Sequence, residues 1–226
     1  MDFITIESML TEERIEKIQK LVASRQLDLT IILENVHDPH NIGAVLRTCD
    51  SIGIAEIYAI YTIESSEKLF EAIGNKSSSG SKKWVDVHVF EDAQECIQTV
   101  RKKYKRIYGT HLATDSVGLY DLDMSDSIAL MFGNEHRGIC DTTLPLLDGN
   151  FIIPQVGMTK SLNISVACAV TLYEAMRQRI VAGKYDLPYD SENKQHQDLY
   201  KKYVVESKTY QFTVKRKGSR NKEKKE

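Results

Sequence analysis

Apolar positions along the chain follow two rhythms. Short apolar runs of strand length recur at Leu29–Leu33 (LTIIL), Glu56–Tyr61 (EIYAIY), Trp84–Phe90, Arg106–Thr110, Ser127–Phe132 and Phe151–Ile153. Segments of helical period lie between and around them. In residues 11–25, Ile15, Ile18, Leu21 and Val22 share one face, and Glu12 and Glu13 favour the positive end of the helix dipole. Further helices are predicted over Ile42–Ser51, Lys68–Ile73, Asp92–Tyr104, Leu162–Ile180 and Glu192–Val205, with a polar loop at Asn75–Lys83. Strands alternating with helices predict an α/β fold with a mostly parallel sheet, and near-continuous apolar strands require helices on both of its faces. No internal repeat is visible.

Composition narrows the class. A chain of 226 residues, 42% hydrophobic and 27% charged, is long enough for one substantial core. The composition shifts after Gly183, which divides the chain into a helical extension at 1–27, a core domain at 28–183 and a polar extension at 184–226. No apolar run reaches membrane-spanning length, so no membrane is expected. The start MDFITIESMLTEER is acidic and lacks the apolar segment of a secretory signal. Cys49, Cys96, Cys140 and Cys168 are far apart and form no CxxC pair, which suits reduced thiols in a cytoplasm. His37 and His40 form one HxxH, interrupted by Pro39 and with no third ligand, so no metal is expected.

The net charge of −2 hides an asymmetry. From Lys215 onward, seven Lys or Arg face two Glu, leaving the tail at +5 and the remainder of the chain at −7. A basic tail on an acidic body suits contact with a polyanion such as RNA, and equally a solvated terminus without a partner.

Three segments combine glycine with polar residues at the end of a predicted strand. In ENVHDPHNIGAVLRTCDSIGI, a helix begins near Asn41, carries Arg47 among Val45, Leu46 and Cys49, and ends at Gly53. An arginine so placed pairs with an acid or binds an anion. In IALMFGNEHRGI, Gly133 and Gly138 flank Asn134 and Glu135, which form either a tight turn or a ligand loop. In FIIPQVGMTKSLNISVACAVTLYEAMRQR, Ser161 and Asn163 stand where a long apolar helix begins, as an ordinary cap or as part of an anion-binding terminus. Open α/β sheets bind ligands at the carboxyl ends of their strands, so the conjunction matters more than any one segment. The absence of GxGxxG, a P-loop and GxSxG disfavours a dinucleotide oxidoreductase, an NTPase and a hydrolase.

Asn41 with Arg47-Thr48, then Phe132-Gly133-Asn134-Glu135, then Ile153-Pro154 with Ser161-Leu162-Asn163 resemble the three motifs of the SpoU (TrmH) RNA 2′-O-ribose methyltransferases. The resemblance covers about residues 12–185. It looks strongest to the subgroup that modifies guanosine-18 of tRNA. It implies a parallel α/β sheet whose C-terminal part threads a deep trefoil knot. It further implies S-adenosylmethionine as cofactor, S-adenosylhomocysteine as product, tRNA as partner and a homodimer in which the first motif faces the partner's cofactor. By motif position, Thr110, Gly133, Ile153 and Leu162 would contact the cofactor, and Asn41, Arg47, Glu135, Ser161 and Asn163 would build the catalytic site.

The implied reaction is in-line attack of a ribose 2′-OH on a sulfonium methyl. The family proposal makes the arginine the base. A guanidinium is protonated at any physiological pH, so Arg47 suits a cation that binds phosphate and stabilises the developing alkoxide. Asn41 would position Arg47 or the ribose. Lys82, Lys83, Lys215, Arg216 and Lys217 are expected to touch phosphates rather than bases. Two alternatives stand beside this reading: the same chemistry on ribosomal RNA or another tRNA position, and a non-catalytic RNA-binding protein of the same fold.

Overall fold

The computed structural model describes residues 3–63, 84–159 and 161–220. The expected helix at Lys68–Ile73, the loop at Asn75–Lys83 and the side chains of Lys82, Lys83, Lys215, Arg216 and Lys217 lie outside that description. The chain forms two compact units, Arg25–Lys184 and a second made of Met1–Ser24 with Tyr185–Glu226.

The larger unit is built on seven strands, β1 (Leu29–Glu34), β2 (Glu56–Ile60), β3 (Asp86–Phe90), β4 (Arg106–Thr110), β5 (Val117–Gly118), β6 (Ile128–Phe132) and β7 (Gly149–Ile152). They pair in the order β3-β2-β1-β6-β4-β7-β5, and every pairing is parallel. The side-chain period of two divides the core between the faces. Ile31 and Leu33 of β1 join a cluster with Val45, Leu46, Cys168 and Leu172, while Ile32 joins another with Ile97 and Val100. The first cluster is supplied by α3 (Pro39–Ile52) and α5 (Ile164–Val181), the second by α4 (Ala93–Arg101). Both faces are therefore covered, as the continuous apolar strands require.

Local chemistry sets the helix ends. Asp38 caps α3 by accepting from His40 N–H at 2.8 Å, Pro39 occupies the first turn, and Gly53 ends the helix at φ 91°. Asn163 caps α5 by accepting from Ser165 N–H at 2.9 Å.

Charged groups hold the amino-terminal rim of the sheet. Arg179 is fully buried and donates to Gln26 Oε1, Asp28 and the carbonyls of Met124 and Asp126. Burial raises the Asp28 carboxyl, but hydrogen bonds from Lys184 and Arg179 outweigh it and hold the group below its ordinary value. Arg25 joins Asp50, the Ile54 carbonyl and the Trp84 carbonyl. Glu56, at the start of β2, accepts from Tyr58, His88, Lys103 and Tyr104.

In the smaller unit, α1 (Phe3–Glu7) and α2 (Glu12–Ala23) pack on α6 (Lys194–Arg220). The Phe3 ring meets Tyr200 edge-on, and the Tyr200 hydroxyl donates to Glu7 at 2.7 Å. The expected helix at Glu192–Val205 runs on to Arg220. No helix among the described residues is long and apolar enough to cross a membrane.

Candidate functional site

The chain runs outward from β1 to β3, then builds the other half of the sheet, so the strand order reverses between β1 and β6. The carboxyl ends beside such a reversal are where open α/β sheets bind ligands. A cavity of about 420 Å³ opens there, within the range of small-molecule sites. Its walls come from the ends of β4 (Thr110 to Leu112), β6 (Phe132 to Gly138) and β7 (Phe151 to Ile153), and from the entry to α5. Phe132 and Phe151 meet edge to face at its base, with centroids 6.2 Å apart. All four positions expected to hold a cofactor, Thr110, Gly133, Ile153 and Leu162, line this one cavity.

The loop after β6 is closed tightly. Asn134 and Gly138 exchange backbone hydrogen bonds at 3.0 and 2.8 Å. Asn134 Oδ1 accepts from the N–H groups of His136 and Arg137. Gly138 takes φ 69°, and a Cβ on Gly133 would stand 2.1 Å from the Gly138 carbonyl carbon. Only glycine lets this loop fold back on the end of its own strand.

The three sequence motifs meet through side chains. Asn41 Nδ2 donates to Glu135 Oε1 at 2.7 Å, and Asn163 Nδ2 donates to Asn41 Oδ1 at 3.1 Å. Asn163 Oδ1 in turn accepts from the Ser165 backbone and hydroxyl. Each amide is thereby fixed in one orientation. Glu135 and Ser161 line the cavity, and Asn41 and Asn163 are bonded to it through Glu135.

Arg47 is placed differently. It is on the exposed side of α3 and does not line the cavity. Six residues of helix carry it about 9 Å along the axis and about 120° around it from Asn41. Asn41 therefore engages Glu135 and Asn163, while Arg47 faces outward.

Sequence reasoning named Asn134 only within its motif and passed over the other residues here. Asn134 organises the loop, and His111, Gln155, His136 and Arg137 line the cavity. Glu34 and Asn35 stand behind the loop, buried at 1% exposure each. No group of three or more metal-ligating side chains gathers among the described residues.

Residues 28–173 match the SpoU rRNA Methylase family. The chain belongs to this family. Among SpoU relatives, the tRNA (guanosine(18)-2′-O)-methyltransferase of Thermus thermophilus is 41% identical over 79% of this chain and 89% of its own length. The enzyme of the same name from Escherichia coli is 36% identical over 76% of this chain and 73% of its own. In three dimensions, the A. aeolicus TrmH/SpoU tRNA modifying enzyme superposes with a TM-score of 0.74 at 32% identity, covering 87% of this chain and 97% of the other. The SpoU methyltransferase AviRb from Streptomyces viridochromogenes, solved in complex with AdoMet, superposes at 0.61 with 25% identity over 69% and 59% of the two chains.

Proposed function

We propose that the chain is an S-adenosylmethionine-dependent tRNA methyltransferase that modifies the ribose 2′-OH of guanosine-18. The observation that carries this is the joining of the three SpoU motifs, Asn41, Glu135 and Asn163, beside one strand-end cavity. Relatives bearing that activity in their names, at 36–41% identity over more than three quarters of the chain, support the substrate.

The cavity suits the cofactor. Apolar side chains at its base (Phe132, Phe151, Ile153, Leu162) can hold an adenine, and the backbone at three strand ends offers hydrogen bonds. Glu135 supplies a negative charge for the cationic end. When bound, S-adenosylmethionine supplies an electrophilic methyl, and S-adenosylhomocysteine remains as product. Thr110, Gly133, Ile153 and Leu162 hold it. The Glu135–Asn41–Asn163 chain fixes the site entrance, so that catalysis rests largely on alignment. Arg47 supplies positive charge to the substrate phosphate and the alkoxide that develops as the 2′-OH loses its proton.

Arg47 does not line the cavity of its own chain, and we therefore read the enzyme as a homodimer in which it serves the cavity of a second copy. Val166, Tyr173 and Ile180 recur every seventh residue of α5 and are 46%, 54% and 50% exposed, an apolar stripe suited to burial against that copy. We also read the C-terminal part of residues 28–183 as knotted. In support, β7 pairs between β4 and β5, so the chain leaving β7 passes beside the loop that joins those strands. The extensions at 1–27 and 184–226 are read as tRNA contacts, and the cytoplasm as the working compartment, to which four free thiols are suited.

Methyl transfer from labelled S-adenosylmethionine to an unmodified tRNA transcript tests the reading. The comparison is the same tRNA with 2′-deoxyribose at guanosine 18. Label on the first and none on the second is expected. Equal label on both overturns the assignment of the atom. No label on either, with cofactor still bound, turns the assignment to ribosomal RNA.

A further inference from the structure

We infer that Glu34 and Asn35, the last residue of β1 and the one after it, are positioning residues that hold the loop 133–143 in the shape the cofactor requires. The inference rests on the cofactor reading of the cavity given above.

The loop is gripped at both ends by these two neighbours. At its far end, the Cys140 backbone N–H donates to Glu34 Oε2 at 2.7 Å, and the Thr143 hydroxyl donates to Glu34 Oε1 at 2.6 Å. At its near end, Asn134 Nδ2 donates to the Asn35 carbonyl at 2.9 Å. Between these anchors lie Glu135, His136, Arg137 and Gly138, all lining the cavity.

Neither anchor is an accident of surface chemistry. Glu34 is 1% exposed, and a carboxylate is costly to bury unless its lone pairs are filled. Both of its oxygens are filled by this one loop. Asn35 is the only non-glycine residue at positive φ among the described residues, at 53°. That conformation costs energy for a residue with a side chain, and its persistence needs support from around it. The support is a set of bonds to the exit of β2. Asn35 N–H donates to the Ile60 carbonyl at 2.8 Å, its Oδ1 accepts from Thr62 N–H at 3.0 Å, and its Nδ2 donates to the Thr62 hydroxyl at 3.1 Å. The left-handed turn aims the Asn35 carbonyl at Asn134. The rigid central strand thus passes its position to a loop that carries Glu135, and through Glu135 to Asn41.

The binding of S-adenosylmethionine alone to the full-length protein, followed by calorimetry, tests this. Glu34→Ala should weaken binding by about tenfold or more, and Thr143→Val by about threefold, as removal of supporting hydrogen bonds does at other sites. The double variant should bind no more weakly than Glu34→Ala alone, because both remove one connection. Glu34→Gln should recover most of the affinity, since its oxygen can take the Cys140 N–H while the Thr143 hydroxyl turns to accept. In turnover, the loss should fall on KM for the cofactor with kcat changed by less than about threefold. Thr30→Val serves as control, because it removes a buried hydroxyl bond to the Glu56 carbonyl from the other end of β1. Wild-type affinity in folded Thr143→Val and Glu34→Ala overturns the inference, as does an equal loss in Thr30→Val. Should Glu34→Ala not fold, Thr143→Val against Thr30→Val decides alone. Absence of binding to the wild-type protein overturns the proposed function itself.

Discussion

Asn41 donates to Glu135 across 94 residues of sequence, with Nδ2 2.7 Å from Oε1. The bond ties the helix after β1 to the loop after β6, and only a donor at position 41 can make it. Asn41→Asp would set two carboxylates against each other. That variant should lose more activity than Asn41→Ala, by about tenfold or more in kcat/KM, since like charges at this distance repel strongly in a partly buried site. Steady-state methyl transfer on both variants checks the order; an Ala variant as poor as the Asp variant would deny the charge argument.

Arg47 lies on the exposed side of α3, whereas Glu135 lines the cavity, and the proposed reaction uses both. If Arg47 serves the cavity of a second copy, Arg47→Ala and Glu135→Ala proteins should each be inactive, and their mixture should regain activity. Each heterodimer contains one cavity with an intact Glu135 faced by an intact Arg47. Assays after mixing and re-equilibration read this directly, and a mixture as dead as its components would place both residues in one subunit's site.

Gly133 has no room for a side chain. Gly133→Ala would drive a methyl to within 2.1 Å of the Gly138 backbone, so the loop must open. Loss of cofactor binding by at least about tenfold is expected, with a modest fall in melting temperature, because the strain falls on a loop and not on the core. Calorimetric titration beside thermal unfolding separates the two effects.

Glu56 links stability to pH. Burial acts to raise its pKa, but hydrogen bonds from His88, Lys103 and Tyr104 win and lower it from 4.5 to about 2. A depressed folded pKa means that the unfolded chain takes up a proton first. The stabilisation is therefore complete above pH 4.5 and drains away as pH falls from 4.5 towards 2. Glu56→Gln should be less stable than wild type at neutral pH, with the gap closing through that window. Urea unfolding at a series of pH values would show it, and parallel curves would refute the assignment.

Much of this was legible from residue order alone. The strand β4 has the bounds its pattern predicts, Gly53 ends α3, and Asn163 caps α5, because each depends on neighbours within a turn or two. What escaped depends on distant contacts or on length. Two residues, Val117–Gly118, are too short to show a period, so β5 was invisible. Arg47 looked embedded because Val45, Leu46 and Cys49 surround it in sequence. Helical steps of about 100° turn those side chains inward and Arg47 outward. Glu34 follows the predicted strand Leu29–Leu33, and no neighbour in sequence gives it a role. Only a loop from 106 residues further on reveals it as a buried anchor.

The charged clusters around Arg25, Arg179 and Glu56 all belong to the amino-terminal rim of a fully parallel sheet, while the cavity belongs to the opposite rim. Durability and the proposed chemistry thus occupy different addresses on one scaffold. Lineages facing heat or acid could rework the first set of contacts without disturbing the second. A change of nucleotide target could equally proceed by loop replacement at the far edge, leaving the fastening of the strands as it was.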